Sequence, residues 1–149
     1  MASFKKLVFV HIAFLFFSST LFSQTQIVGT WITPEKDAHI EIYNCGGDTY
    51  CGKIVWLSDP NYQDGTPRTD ENNPDEAKRN VPLIGLDMMK GFKYDADENE
   101  WSGGTVYDSR GGKTYSGYLK MQPDGKLFMK GYIYGMRWLG RSNIWTRIK

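Results

Sequence analysis

Histidine and cysteine are almost missing from this chain, with two of each among 149 residues. One histidine, His11, falls inside an apolar leader, which leaves His39 alone for the rest of the chain. A Cys–His nucleophilic pair or a histidine-rich metal site therefore lacks its parts. No Gly-x-Ser-x-Gly elbow and no phosphate-loop pattern occurs, so two common catalytic and nucleotide-binding signatures drop out. Charge of one sign is also lacking. Eighteen basic side chains against seventeen acidic ones leave a formal charge of +1, and a nucleic-acid footprint needs a basic surplus on one face. What the chain does have is aromatics and glycine: five Trp, nine Tyr, eight Phe and sixteen Gly. That composition suits an all-β domain rich in turns.

Residues 1–23 read as a secretory signal peptide. Lys5 and Lys6 form a positive start, residues 7–17 an apolar stretch, and Ser18, Ser19, Thr20 and Ser23 a small polar segment. Cleavage is expected between Ser23 and Gln24. The apolar stretch is short for a spanning helix, which wants about 20 residues, so no transmembrane anchor is expected in the mature chain. No cysteine follows it to carry a lipid. The expectation is an exported protein, periplasmic or extracellular, with residues 24–149 as one domain. An oxidising compartment favours a bridge between Cys45 and Cys51, stapling a hairpin whose arms are residues 38–44 and 52–57.

Along the remainder the hydrophobic period is two rather than 3.6. Strands are expected at 27–33, 39–43 and 53–57. A polar run at 58–80 then carries Pro60, Pro67 and Pro74, and residues 75–79 suit a single helical turn. Strands resume over 83–89 and 91–94, followed by 101–107, 114–121, 127–134 and 139–148. Gln122-Pro123-Asp124-Gly125 marks a tight hairpin. About eight antiparallel strands joined in sequence point to an all-β, up-and-down barrel, with one long loop between the third and fourth strands. A sandwich remains the alternative. An eight-stranded barrel either fills with side chains or holds one small ligand.

Few residues in this frame offer chemistry. His39 alternates out of phase with Ile40 and Ile42 and reads as solvent-facing. Gly29, Trp31, Trp145 and Arg147 stand at the two chain ends, which adjoin in a closed barrel. There an Arg can cover a Trp ring and shut one end, as in the Gly-x-Trp and late-Arg arrangement that lipocalins show. Asp59, Asp64, Asp70, Glu71, Asp75 and Glu76 crowd the long loop with Asn72, Asn73 and Arg79. Calcium ligation and a carboxylate hydrolase are conceivable there, but turn-forming and capping roles account for the same residues. No metal and no catalytic residue is assigned. Gly103, Gly117 and Gly131 on neighbouring strands would leave an interior under-filled. Tyr107, Tyr115, Gly117, Leu119, Met129 and Ile133 are the candidate lining of an apolar pocket.

Several motifs taken together resemble a known family. They are Gly29-Thr30-Trp31, Cys51-Gly52-Lys53-Ile54-Val55-Trp56-Leu57, Asn72-Asn73-Pro74-Asp75 with Arg79, and Pro82-Leu83-Ile84-Gly85. Gly103-Gly104-Thr105-Val106-Tyr107-Asp108, Gly112-Lys113-Thr114-Tyr115, Gly140-Arg141-Ser142 and Trp145-Thr146-Arg147 follow in order. The chain resembles the exported bacterial family catalogued as domain of unknown function 2147. Lys130 departs from it, standing where that family often has Arg. The resemblance implies a single-domain secreted or periplasmic bacterial protein and supplies no activity. The expected function is a non-enzymatic barrel that binds a small apolar or amphipathic ligand without a cofactor. The alternative is an interaction module working through loop 58–80, where Asp70, Asn72, Asn73, Asp75 and Arg79 would meet a protein partner.

Overall fold

A computed structural model describes residues 26–148; the leader expected over 1–23 lies outside them. The strands are β1 (Gly29–Ile32), β2 (Ala38–Gly46), β3 (Thr49–Leu57) and β4 (Asp87–Asp95). They continue as β5 (Glu100–Asp108), β6 (Lys113–Met121), β7 (Leu127–Ile133) and β8 (Met136–Arg147). Each pairs antiparallel with the next, and β8 returns to β1, so the sheet is a closed eight-stranded barrel. Closure leaves no sheet edge exposed for pairing with another chain. The sandwich alternative is excluded.

Alternation decides the inside. On β2, Ala38, Ile40 and Ile42 are buried while His39, Glu41 and Tyr43 are not. His39 stacks on Trp56 with ring centroids 4.2 Å apart, two residues paired across β2 and β3. Several boundaries differ from the sequence expectation: β2 and β3 run further toward their shared turn, to Gly46 and from Thr49, and two other differences have a visible cause. Residues 83–86 are a turn rather than strand: the Leu86 N–H donates to the Leu83 carbonyl, and Gly85 takes a φ of 93°. The last strand begins earlier, at Met136, but carries an insertion: Tyr132 pairs Gly140 while Ile133 pairs Met136. Residues 137–139 therefore bulge from the ladder. Arg137 folds back there over the Tyr118 ring, 3.9 Å away, and pairs with Glu100 at 2.5 Å. The turn expected after Pro74 is one 3₁₀ turn, Glu76–Lys78, capped by the Asp75 carboxylate accepting from the Ala77 N–H.

The two ends of the barrel are built differently. Turns β2–β3, β4–β5 and β6–β7 surround a solid end containing Ile27, Trp31, Ile42, Met89, Phe92, Trp101, Leu119 and Leu127, all essentially without exposure. Burying a side chain such as Phe92 or Leu119 contributes about 1.5–3 kcal/mol. The Cys45–Cys51 disulfide staples the β2–β3 hairpin at this end. At Trp31 the indole N–H donates to the Ile27 carbonyl at 2.8 Å, and the Arg147 guanidinium lies 4.2 Å from the ring centroid. Arg147 also donates to the carbonyls of Val28, at 2.7 Å, and Gln26. Burial lowers the Arg147 pKa from its ordinary value. Gly29, at φ 137°, leaves no room for a side chain beside that guanidinium: a Cβ there would sit 2.5 Å from Nη1.

Candidate ligand-binding cup

At the opposite end, the strands open into a cavity of about 1060 Å³. Ile40, Ile54, Leu57, Leu83 and Met88 form one side, and Val106, Tyr115 and Met129 continue the wall. Trp145, buried on β8, closes the lining toward the solid end. The volume stands at the top of the range for small-molecule sites, roughly 300–1,000 Å³, and Glu35, Asp37, Asp108, Arg110, Lys113 and Arg141 border it along with the apolar walls.

Three chain segments shape the mouth. The β1–β2 turn supplies Asp37 and the β5–β6 turn supplies Arg110; the two form an ion pair. In an eight-stranded ring these turns stand opposite one another, so the pair spans the opening. On one side lies the long loop, residues 58–86, which encloses a smaller polar cavity of about 450 Å³ against Asp37 and Arg110. On the other side stand β7 and β8, with Ile133 and Leu139 exposed at the rim. Tyr134 and Trp138 are also exposed on this hairpin, at 89% and 77%.

The loop is fastened down by its carboxylate. Asp70 is completely buried. Its Oδ1 accepts from the Tyr107 hydroxyl at 2.8 Å and its Oδ2 from the Asn73 amide at 2.6 Å. The Asp70 N–H donates to the Val81 carbonyl, and its own carbonyl accepts from the Asn73 N–H. Burial and the Asp70 carboxylate push the Tyr107 pKa up to about 12. Asn72 adds a bond to the Arg110 carbonyl at 3.2 Å. The Asn72 carbonyl also lies against Gly112, where an added Cβ would sit only 1.9 Å away.

These positions revise several expectations. Asp70 is not a surface residue but the buried anchor of the loop. Asn73, Asp75 and Arg79 bond within the loop: the Asp75 N–H donates to Asn73 Oδ1 and the Arg79 Nε–H to the Asn73 carbonyl. Among the candidate lining, Tyr115, Met129 and Ile133 border the cavity. Tyr107 reaches its rim, yet it alternates out of phase with inward Val106 and its hydroxyl holds Asp70. Gly117 and Leu119 do not line the cavity. A Cβ on Gly117 would come within 2.9 Å of Val106 and 3.1 Å of Phe92, and Leu119 is sealed in the solid end. Gly103 faces outward because a register shift between Trp101 and Gly104 turns the strand over. Gly104 faces inward instead, with the Phe92 ring filling its place. Arg141 and Asn143, in phase with Trp145 on β8, border the cavity and were not foreseen. Counting back by twos from Trp145 would have found them. Among the described residues no group of three His, Cys, Asp or Glu side chains is placed to hold a metal ion, and no helix is long and apolar enough to cross a membrane.

The family model for uncharacterized proteins conserved in bacteria, domain of unknown function 2147, matches residues 29–147. The chain belongs to this family. Among solved structures it is similar to protein HP1028 from the human pathogen Helicobacter pylori, reported as belonging to the lipocalin family. The two are 19% identical with a TM-score of 0.71, covering 83% of each chain. That likeness is one of fold: a lipocalin-like barrel. No curated protein matches the chain. Membership of the family adds no activity, so the cup itself has to carry the functional reading.

Proposed function

We propose that this family member is an exported, non-enzymatic barrel that holds a small apolar or amphipathic molecule in the cup at its open end. The observation that carries the reading is the contrast inside one barrel: eight strands packed solid at one end enclose about 1060 Å³ at the other. A disulfide and a closed barrel fit an oxidising compartment outside the cytoplasm. A carrier needs no catalytic set, and its cup needs only shape and an apolar wall. The alternative, protein capture by loop 58–80, has less support, because the buried Asp70 and the bonds among Asn73, Asp75 and Arg79 commit those groups within the loop. The test is titration of the purified protein with the uncharged fluorophore N-phenyl-1-naphthylamine. Saturable uptake of one dye per chain, with its emission shifted to the blue, is expected. Emission unchanged from that in buffer contradicts the reading.

A further inference from the structure

The wall of the cup is not uniform. Arg141, Asn143 and Trp145 occupy alternate positions of β8 with an unbroken register against β7, so all three share the inward face. Among the described residues, the Arg141 guanidinium and the Asn143 amide have no hydrogen-bond or ion-pair partner. Below them the Trp145 indole N–H is buried and unpartnered. Buried polar groups in native proteins are almost always satisfied, so an orphaned one calls for a reason. The other charged groups at the mouth are accounted for differently. Arg110 pairs with Asp37, and Asp108 accepts from the Arg110 N–H. Glu35, Lys113 and Arg141 are all exposed at the rim. Of these three, Arg141 shares the phase of buried Trp145, which places it at the mouth end of the inward row on β8, bordering the cavity.

Gly131 makes room beside it. Gly131 faces Arg141 across the β7–β8 ladder and Gly117 across β6–β7. Its φ lies outside the left-handed region, and a Cβ would meet only the Tyr115 Cβ, at an ordinary 3.7 Å. Neither backbone conformation nor packing requires glycine there, whereas Gly104 and Gly117 are required by Phe92. The missing side chain leaves a gap beside the Tyr115 side chain, at the position paired with Arg141 on β8. Guanidinium offers planar paired donors that match carboxylate or phosphate oxygens.

Resting on the carrier reading, we propose that the ligand is a drug-sized amphiphile with an anionic head, which Arg141 binds while the tail lies against Ile54, Met88 and Met129. The head is a carboxylate or a phosphate; both offer paired acceptor oxygens to the Arg141 guanidinium. Competition against bound N-phenyl-1-naphthylamine tests it, using dodecanoate, dodecyl phosphate, dodecanol and dodecyltrimethylammonium below their micellar concentrations. The two anions are expected to displace the dye at concentrations about tenfold lower than the alcohol or the cation, the size of one charge-assisted interaction. Arg141→Gln is expected to erase the difference between acid and alcohol, and Arg141→Lys to restore part of it, with circular dichroism and melting curves confirming that both variants fold. Dodecanoate ahead of dodecyl phosphate assigns a carboxylate head, and the reverse order a phosphate. Equal displacement by acid and alcohol, or an acid preference that survives Arg141→Gln, overturns the anionic head and leaves the apolar cup standing. A dye that never binds overturns both.

Discussion

Two glycines on the inner face of one barrel wall, a single strand apart, show how its ends differ. Gly104 and Gly131 both point inward, on β5 and β7. At Gly104 a Cβ would come within 2.5 Å of the Phe92 ring and 2.7 Å of the Lys90 carbonyl, so the space is already occupied. At Gly131 the nearest heavy atom is 3.7 Å away. One glycine lets a solid end pack tightly, and the other keeps an open end empty. The same residue type marks a core in one place and a cup in the other, and only the neighbours tell them apart.

The sharpest way to break this contrast is at the solid end. Trp31→Ala removes a fully buried ring together with its Arg147 cover and the bond to Ile27. Its expected loss is about 3–5 kcal/mol, read from urea denaturation, with a barrel at the edge of unfolding. Next comes the latch between loop and wall. Tyr107→Phe leaves the buried Asp70 with one donor fewer and should cost about 1.5–3 kcal/mol by the same measurement. It also has a pH signature. The folded-state pKa of Tyr107, about 12, lies above its ordinary value of 10.0. Its contribution is therefore complete below pH 10 and is lost as the pH rises toward 12. A pH series of melting temperatures should fall less steeply over that window in Tyr107→Phe than in the parent.

Smaller effects separate the two glycines directly. Gly104→Ala overpacks the wall against Phe92 and should cost about 1–3 kcal/mol. Gly131→Ala should leave stability unchanged or raise it by about 0.5–1 kcal/mol, because alanine loses less freedom than glycine when a strand forms. Matching losses at the two positions in chemical denaturation would mean that both ends are packed alike.

Much of the frame was legible in the sequence, and the reasons are physical. Period-two alternation on β2, turn residues at hairpin tips and proline-rich punctuation around the long loop are local signals. They report strands and their order without knowledge of the partners. Trp31 and Arg147 stood out as chain-end residues, and barrel closure brings them into contact at 4.2 Å. The site was less legible, because it depends on which way a side chain points after an irregularity. The register shift before Gly104 reverses the face of β5, so Gly103 looked inward when read by spacing alone. Asp70 looked like one of many loop carboxylates, since burial against Tyr107 is a contact across thirty-seven residues of sequence. Arg141 was passed over because a charged residue on a strand ordinarily faces water. Its phase with buried Trp145, four residues on, is what places it at the cavity.

A crystal structure of the protein soaked in 12-bromododecanoic acid, with the bromine located by its anomalous scattering, tests the central claim most directly. The account predicts one bromine peak inside the barrel, among Ile54, Met88 and Met129, between the mouth and Trp145. Saturating ligand with no bromine in the cup, or a peak confined to the exposed Tyr134 and Trp138 hairpin, would contradict it.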